Sequence, residues 1–213
     1  MKKFNKLIGV GFQKTGTTSL LYALEQLGFH MSNAMTLKTG PKIWNKKNIL
    51  EVVEKIKDNF DGFIKHPYPS IFKELDKMFP NSKFILTLRN PRNWIKSSLR
   101  QFADIYGPLR PFTYGVSDGF PYGHEQEYVD VFNKHNRDVM HYFKDRPDDL
   151  LVMNIAEKGK WKLLCDFLGI QKIPDEKFHH IYHLNKVGLL KSKMSEKELY
   201  KNLDAVDYGR YLV

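Results

Sequence analysis

Four short stretches dense in apolar and β-branched residues punctuate the chain: KLIGV at 6–10, GFIKH at 62–66, KFILTL at 83–88 and LLVMNI at 150–155. Each carries few charges, the pattern of a strand covered on both faces within a parallel sheet. Between them the apolar period lengthens to three or four. Leu20, Leu24 and Leu27 recur at i, i+4 and i+7 until Gly28 supplies a stop. Ile49, Val52, Val53, Ile56 and Phe60 form a second stripe, and residues 70–79 a third that Pro80 ends. Residues 90–102 enter a helix through Pro91, 125–143 form a long one and 159–169 another. Ser195 with Glu198 three positions on is a capping box that opens a C-terminal helix. This alternation predicts an α/β fold, a central parallel sheet flanked by helices in one domain over 1–213. No repeat, low-complexity tract or composition break divides it.

Composition narrows the class. A chain of 213 residues, 42% hydrophobic and 14% aromatic, can bury a substantial core. No apolar run approaches the roughly 18 to 20 residues of a membrane span, and the opening MKKFNKLIGVGF is too short for a secretion signal. The single cysteine, Cys165, excludes an internal disulfide and a cysteine-rich metal site, so the expected setting is the cytoplasm. A formal charge of +10 asks for a polyanionic ligand or a nucleic-acid surface. The lysines are spread along the chain, with no zinc finger, RNP-type aromatic motif or basic heptad, and the expectation is no nucleic-acid partner.

Chemistry gathers first at residues 9–19, GVGFQKTGTTS, between the first strand and the first helix. Gly11 and Gly16 have the spacing of a P-loop, yet Thr17 occupies the position of its lysine and Lys14 stands inside the loop. Backbone N–H groups from Thr15 to Ser19 would face an anion at the helix N-terminus, with hydroxyls of Thr17 and Thr18 beside them. The sheet is thus P-loop-like. A magnesium-dependent NTPase also needs an acid at the end of a neighbouring strand. Here those ends carry Lys65, His66 and Arg89. Positive charge in that place suits an anion held without a metal. It also suits transfer of a sulfuryl group, in which one lysine, Lys14, stabilises the bridging oxygen as a phosphate departs.

These residues resemble the sulfotransferases that use 3′-phosphoadenosine-5′-phosphosulfate (PAPS). The family's 5′-phosphosulfate loop reads approximately K-[ST]-G-T-[TS], matched by Lys14, Thr15, Gly16, Thr17 and Thr18. Its 3′-phosphate element, a strand-end arginine with a serine eight residues later, is matched by Arg89 and Ser97. The stretch LLVMNIAEKGKWKLLCDFLGIQKIP resembles the strand, Trp-bearing helix and FLG turn of soluble bacterial-type members, and the likeness covers roughly 6–185. It implies PAPS as co-substrate, adenosine 3′,5′-bisphosphate (PAP) as product, no metal, and a hydroxyl or amine acceptor on a small molecule, carbohydrate or lipid. Lys65-His66-Pro67 approximates the family's K-x-H, which implies His66 as general base, with Lys65 supporting it if both face one cleft. Two features depart from the pattern. Ser19 stands where several members place an adenine-stacking tryptophan, and a late R-K-G motif is absent, leaving Lys186 as a substitute phosphate ligand. A nucleotide kinase or NTPase, a non-catalytic nucleotide-binding relative and a basic nucleic-acid module remain alternatives.

Residues 106–123, YGPLRPFTYGVSDGFPYG, read as a loop. Its aromatics, Tyr106, Phe112, Tyr114, Phe120 and Tyr122, suit a packed Ω-like loop and an acceptor-binding lid equally. Trp94 and Trp161 read as core. His179, His180 and His183 form H-H-x-x-H, whose spacing could hold zinc but more simply reads as surface or packing.

Overall fold

The computed structural model describes residues 4–33, 44–179 and 194–209. Five parallel strands form one sheet: β1 (Leu7–Gly9), β2 (Met31–Ser32), β3 (Gly62–Phe63), β4 (Lys83–Thr87) and β5 (Leu150–Met153), in the order β2-β3-β1-β4-β5. Four answer the apolar stretches. The fifth, β2, is two residues within a polar HMSN context, too short for any pattern to mark, and it exists because β3 offers it a ladder. Helices α1 (Thr17–Gln26), α2 (Lys46–Ile56), α3 (Phe72–Met78), α4 (Pro91–Phe102), α5 (Arg110–Tyr114), α6 (Glu125–Tyr142), α7 (Lys160–Leu168) and α8 (Glu196–Leu199) surround it. Asn45 caps α2, and Ser195 caps α8 by accepting the Glu198 N–H.

Alternation along the strands sorts the core into layers. Ile8, Val10, Phe84 and Leu86 face α2, α3 and the end of α6, through Ile49, Val53, Leu75 and Val139. Leu7, Ile85, Leu151 and Met153 face α1 and α7, through Leu20, Leu24, Leu164 and Cys165. A third cluster lies past the carboxyl ends of the strands. There Phe12, Trp94, Leu99, Tyr114, Tyr128 and Phe132 tie α4, α5 and the start of α6 together. Each of these fully buried large side chains is worth about 2 to 5 kcal/mol on truncation to alanine, so this third cluster is a stable floor rather than a mobile cover. No helix among the described residues is long and apolar enough to cross a membrane.

β1 has β3 on one side and β4 on the other, while the chain passes from β1 outward to β2, back to β3 and then across to β4. The connections therefore diverge at β1, and in open α/β sheets such a switch point, outside the carboxyl ends of the strands, is where ligands bind. Those ends carry Lys14, Lys65 with His66, and Arg89.

Candidate active site

The loop after β1 is held from several directions. Gly11 crosses β4 so closely that an added Cβ would lie 1.9 Å from Thr87 Oγ1. Thr15 donates its hydroxyl to the Phe12 carbonyl at 2.6 Å and stands 2.6 Å from Thr87 Oγ1, so this side chain fastens the loop to β4. Trp94 Nε1 donates to the Gln13 carbonyl at 2.8 Å, and Gln13 Nε2 to the Tyr114 hydroxyl at 2.5 Å. Gly16 adopts a left-handed φ of 100° with Ile155 against it, a Cβ there lying 2.6 Å from Ile155 Cγ1. α1 then opens at Thr17 with no acidic residue in its first turn. Its positive end is directed out of the loop, where it favours an anion.

Lys14 has a left-handed backbone, φ 70°, which costs a non-glycine residue on the order of 1 to 2 kcal/mol. Arg89 Nη1 holds that strained peptide by donating to the Lys14 carbonyl at 2.9 Å. The ammonium hydrogen-bonds the Gln101 side chain in the last turn of α4 and lies 6.0 Å from the Phe102 ring centre. Burial first, then the charges of Arg89 and Arg100, pull its pKa down to about 8. Ser97 is half-buried on α4, one helical turn before Gln101. Thr17 and Ser19 are buried within α1, and Thr18 is half-buried.

His66 and Lys65 diverge. Lys65 is again left-handed, φ 71°, and half-buried; burial lowers its pKa, and Glu25 of α1 opposes that shift. His66 packs 5.0 Å from the Phe12 ring and 6.4 Å from Tyr114. It is 9% exposed, and neither ring nitrogen has a hydrogen-bond partner. Burial, then His135 and Arg110, hold its pKa down at about 3, so the imidazole is neutral. His135 stacks on the other side of Phe12 at 4.1 Å and donates Nε2–H to the Val10 carbonyl at 2.7 Å.

The aromatic segment resolves toward packing. α5 forms inside it, Tyr114 is 3% exposed, and its ring stacks on Tyr128 at 3.8 Å. Tyr114 is thus part of the floor rather than of a lid, because it carries both the Gln13 bond and the α6 contact; Tyr106 alone of the five is exposed, at 57%. Trp94 and Trp161 are core, as expected. Lys186, His180 and His183 lie outside the described residues. No three His, Cys, Asp or Glu side chains among the described residues group as a metal site.

The chain matches the model of the sulfotransferase domain over residues 6–187, which includes the loop, His66, Arg89 and Ser97. It belongs to the sulfotransferase-domain family. A protein of Aspergillus versicolor, Ava biosynthesis cluster protein M, is 24% identical over 214 residues, covering 83% of this chain and 80% of that protein. Sulfuryl transfer to a small-molecule acceptor is the activity that membership supports.

Within this sulfotransferase-family chain, sequence reasoning missed the residues that aim the loop. Gln101 follows Ser97 by four, so helical periodicity would have placed it on the same face. His135 lies on the apolar stripe of α6 with Phe132, Asn136 and Val139, a signal for burial. Thr87 and Gln13 carry no such signal; the pairing of β1 with β4 brings Thr87 to Thr15, and the packing of α4 and α5 brings Trp94 and Tyr114 to Gln13.

Proposed function

We propose that this protein is a PAPS-dependent sulfotransferase that sulfates a hydroxyl or amine, with a cytoplasmic setting as part of the same reading. The carrying observation is the left-handed Lys14, stationed beside Arg89 at the positive end of α1 with burial and like charge pressing on its ammonium. A group so placed gains when an anion arrives. Gly16, Thr17, Thr18 and the first-turn N–H groups including Ser19 would hold the 5′-phosphosulfate, while Arg89 and Ser97 would hold the 3′-phosphate. Thr15 supports that cradle from behind through Thr87. PAPS supplies the sulfuryl group and leaves as PAP.

His66 would accept the proton of the acceptor as its oxygen or nitrogen bonds to sulfur. Its neutral ring has a free lone pair and no partner on either nitrogen, but both nitrogens are closed off from solvent beside Phe12 and Tyr114, so this role requires the acceptor to displace that packing. Lys14 would swing from Gln101 to the bridging oxygen and stabilise the charge that grows there as the oxygen–sulfur bond breaks. Lys65, whose charge Glu25 favours against the effect of burial, would at most support His66 electrostatically. Thermal-shift titration tests the donor assignment: PAP should stabilise the protein more than Mg²⁺–ATP. Equal or greater stabilisation by Mg²⁺–ATP would favour a nucleotide kinase. Transfer of label from PAPS to acceptors tests the reaction itself.

A further inference from the structure

Arg110 opens α5, beyond the end of α4. Its guanidinium carbon stands 4.7 Å from the centre of the Phe102 ring, the same ring that Lys14 Nζ approaches at 6.0 Å. The two cations therefore share one aromatic side chain. Arg110 Nη1 donates to the Phe102 carbonyl at 3.4 Å, and an added Cβ on Gly107 would lie 2.3 Å from Arg110 Nε. Its other neighbours are the phenols of Tyr128, Tyr114 and Tyr106. Burial pushes the Tyr128 and Tyr114 hydroxyls well above their usual range, so both are neutral. Arg92, Arg100 and Arg146 each pair with a carboxylate, Asp204, Glu196 and Asp76 respectively. No carboxylate of a described residue acts on Arg110, although it is more buried than those three.

A half-buried guanidinium with only neutral acceptors has lost hydration without gaining a counter-charge. We propose that Arg110 binds an anionic group of the acceptor, so that the preferred acceptors are hydroxyl or amine compounds bearing an oxyanion, for which a carboxylate is the planar match to the guanidinium fork. This rests on the sulfotransferase reading and supplies its acceptor class. Arg110 lies one turn of α5 from Tyr114, whose ring centre is 6.4 Å from that of His66, the proposed base, so an anion on its guanidinium would sit within reach of an acceptor at His66. An acceptor anion there also cancels one of the positive charges that keep the His66 ring from taking a proton.

The experiment compares matched acceptors, 3-(4-hydroxyphenyl)propionate and 4-hydroxybenzoate against their methyl esters, with labelled PAPS. Binding of the same four compounds to the protein, with and without PAP, is followed in parallel by saturation-transfer NMR. The wild type is expected to favour each acid over its ester at least tenfold in kcat/KM and to bind the acids more tightly. Arg110→Gln should abolish that preference through KM, with PAP affinity unchanged. Arg110→Lys, which keeps charge but not the fork, should keep a preference several-fold smaller. Acids and esters handled equally by the wild type would overturn the proposal, as would Arg110→Gln weakening PAP rather than acid binding, or Arg110→Lys matching the wild type. Should no PAP bind and no label move, the sulfotransferase reading falls; Arg110-dependent selection of acids over esters by NMR would then still stand.

Discussion

Lys14 and Lys65 share a backbone state and differ in everything around it. Each follows a strand, β1 or its neighbour β3, each adopts a left-handed φ near 70°, and burial lowers the pKa of each. Lys65 has the carboxylate of Glu25 to oppose the shift. Lys14 has Arg89 and Arg100, which deepen it. The same strain thus occurs once where a carboxylate of the protein opposes the effect of burial and once where only like charges add to it. Strained backbone by itself does not mark a functional residue; strain combined with uncompensated charge is the stronger signal.

Substituting the two lysines tests this contrast most severely. Lys14→Ala should lower single-turnover sulfuryl transfer by roughly 100- to 1,000-fold, the effect of one lost transition-state contact. Lys65→Ala should leave the rate within about threefold. Comparable losses in both would break the distinction.

Arg89→Ala comes next, since it removes a donor from the Lys14 carbonyl and a cation from the proposed 3′-phosphate site. Loss of a charged hydrogen bond is worth about 1.5 to 3 kcal/mol, so PAP affinity should fall by about ten- to a hundredfold in calorimetric titration.

The pH dependence sharpens both sides. On the Lys14 side, the free enzyme loses the ammonium above about pH 8, so kcat/KM for the donor should fall by about tenfold per unit beyond it. Burial holds His66 near pKa 3 and His135 near 4, both below the ordinary 6.5. The unfolded chain therefore binds more protons than the folded one between those limits. The stability these neutral rings contribute is complete above pH 6.5 and is lost as pH falls toward 3. Urea denaturation should show stability declining by up to about 1.4 kcal/mol per pH unit for each ring across that window. His135→Asn should flatten part of the decline.

The smallest effect concerns strain. Lys65→Gly should gain about 1 kcal/mol in stability at φ 71° with activity retained. Lys14→Gly should gain a similar amount and lose turnover. A destabilised Lys65→Gly would mean that the lysine side chain contributes more than the backbone strain costs.

What the sequence determined by itself were the features carried by local pattern. Apolar runs specified four of five strands, helical stripes specified the main helices, and the glycine spacing around Lys14 marked an anion loop, because each is legible within a dozen residues. Strand-end positions put Arg89 and His66 at the same edge of the sheet, since parallel strands bring their carboxyl ends together. Tertiary structure decided which way each side chain looks. Lys65 could support His66 only if both face one cleft, and that is decided past the end of β3, where Lys65 is left-handed and the His66 ring packs on Phe12. Tyr114 suited a lid as well as a core until Gln13, 101 residues away, and Tyr128 held it in place. Arg110 and Gln101 gained their meaning only from a shared neighbour, the Phe102 ring and the Lys14 ammonium. Local periodicity fixes a residue's element and face, whereas its charge environment is a sum over chain segments that only folding brings together.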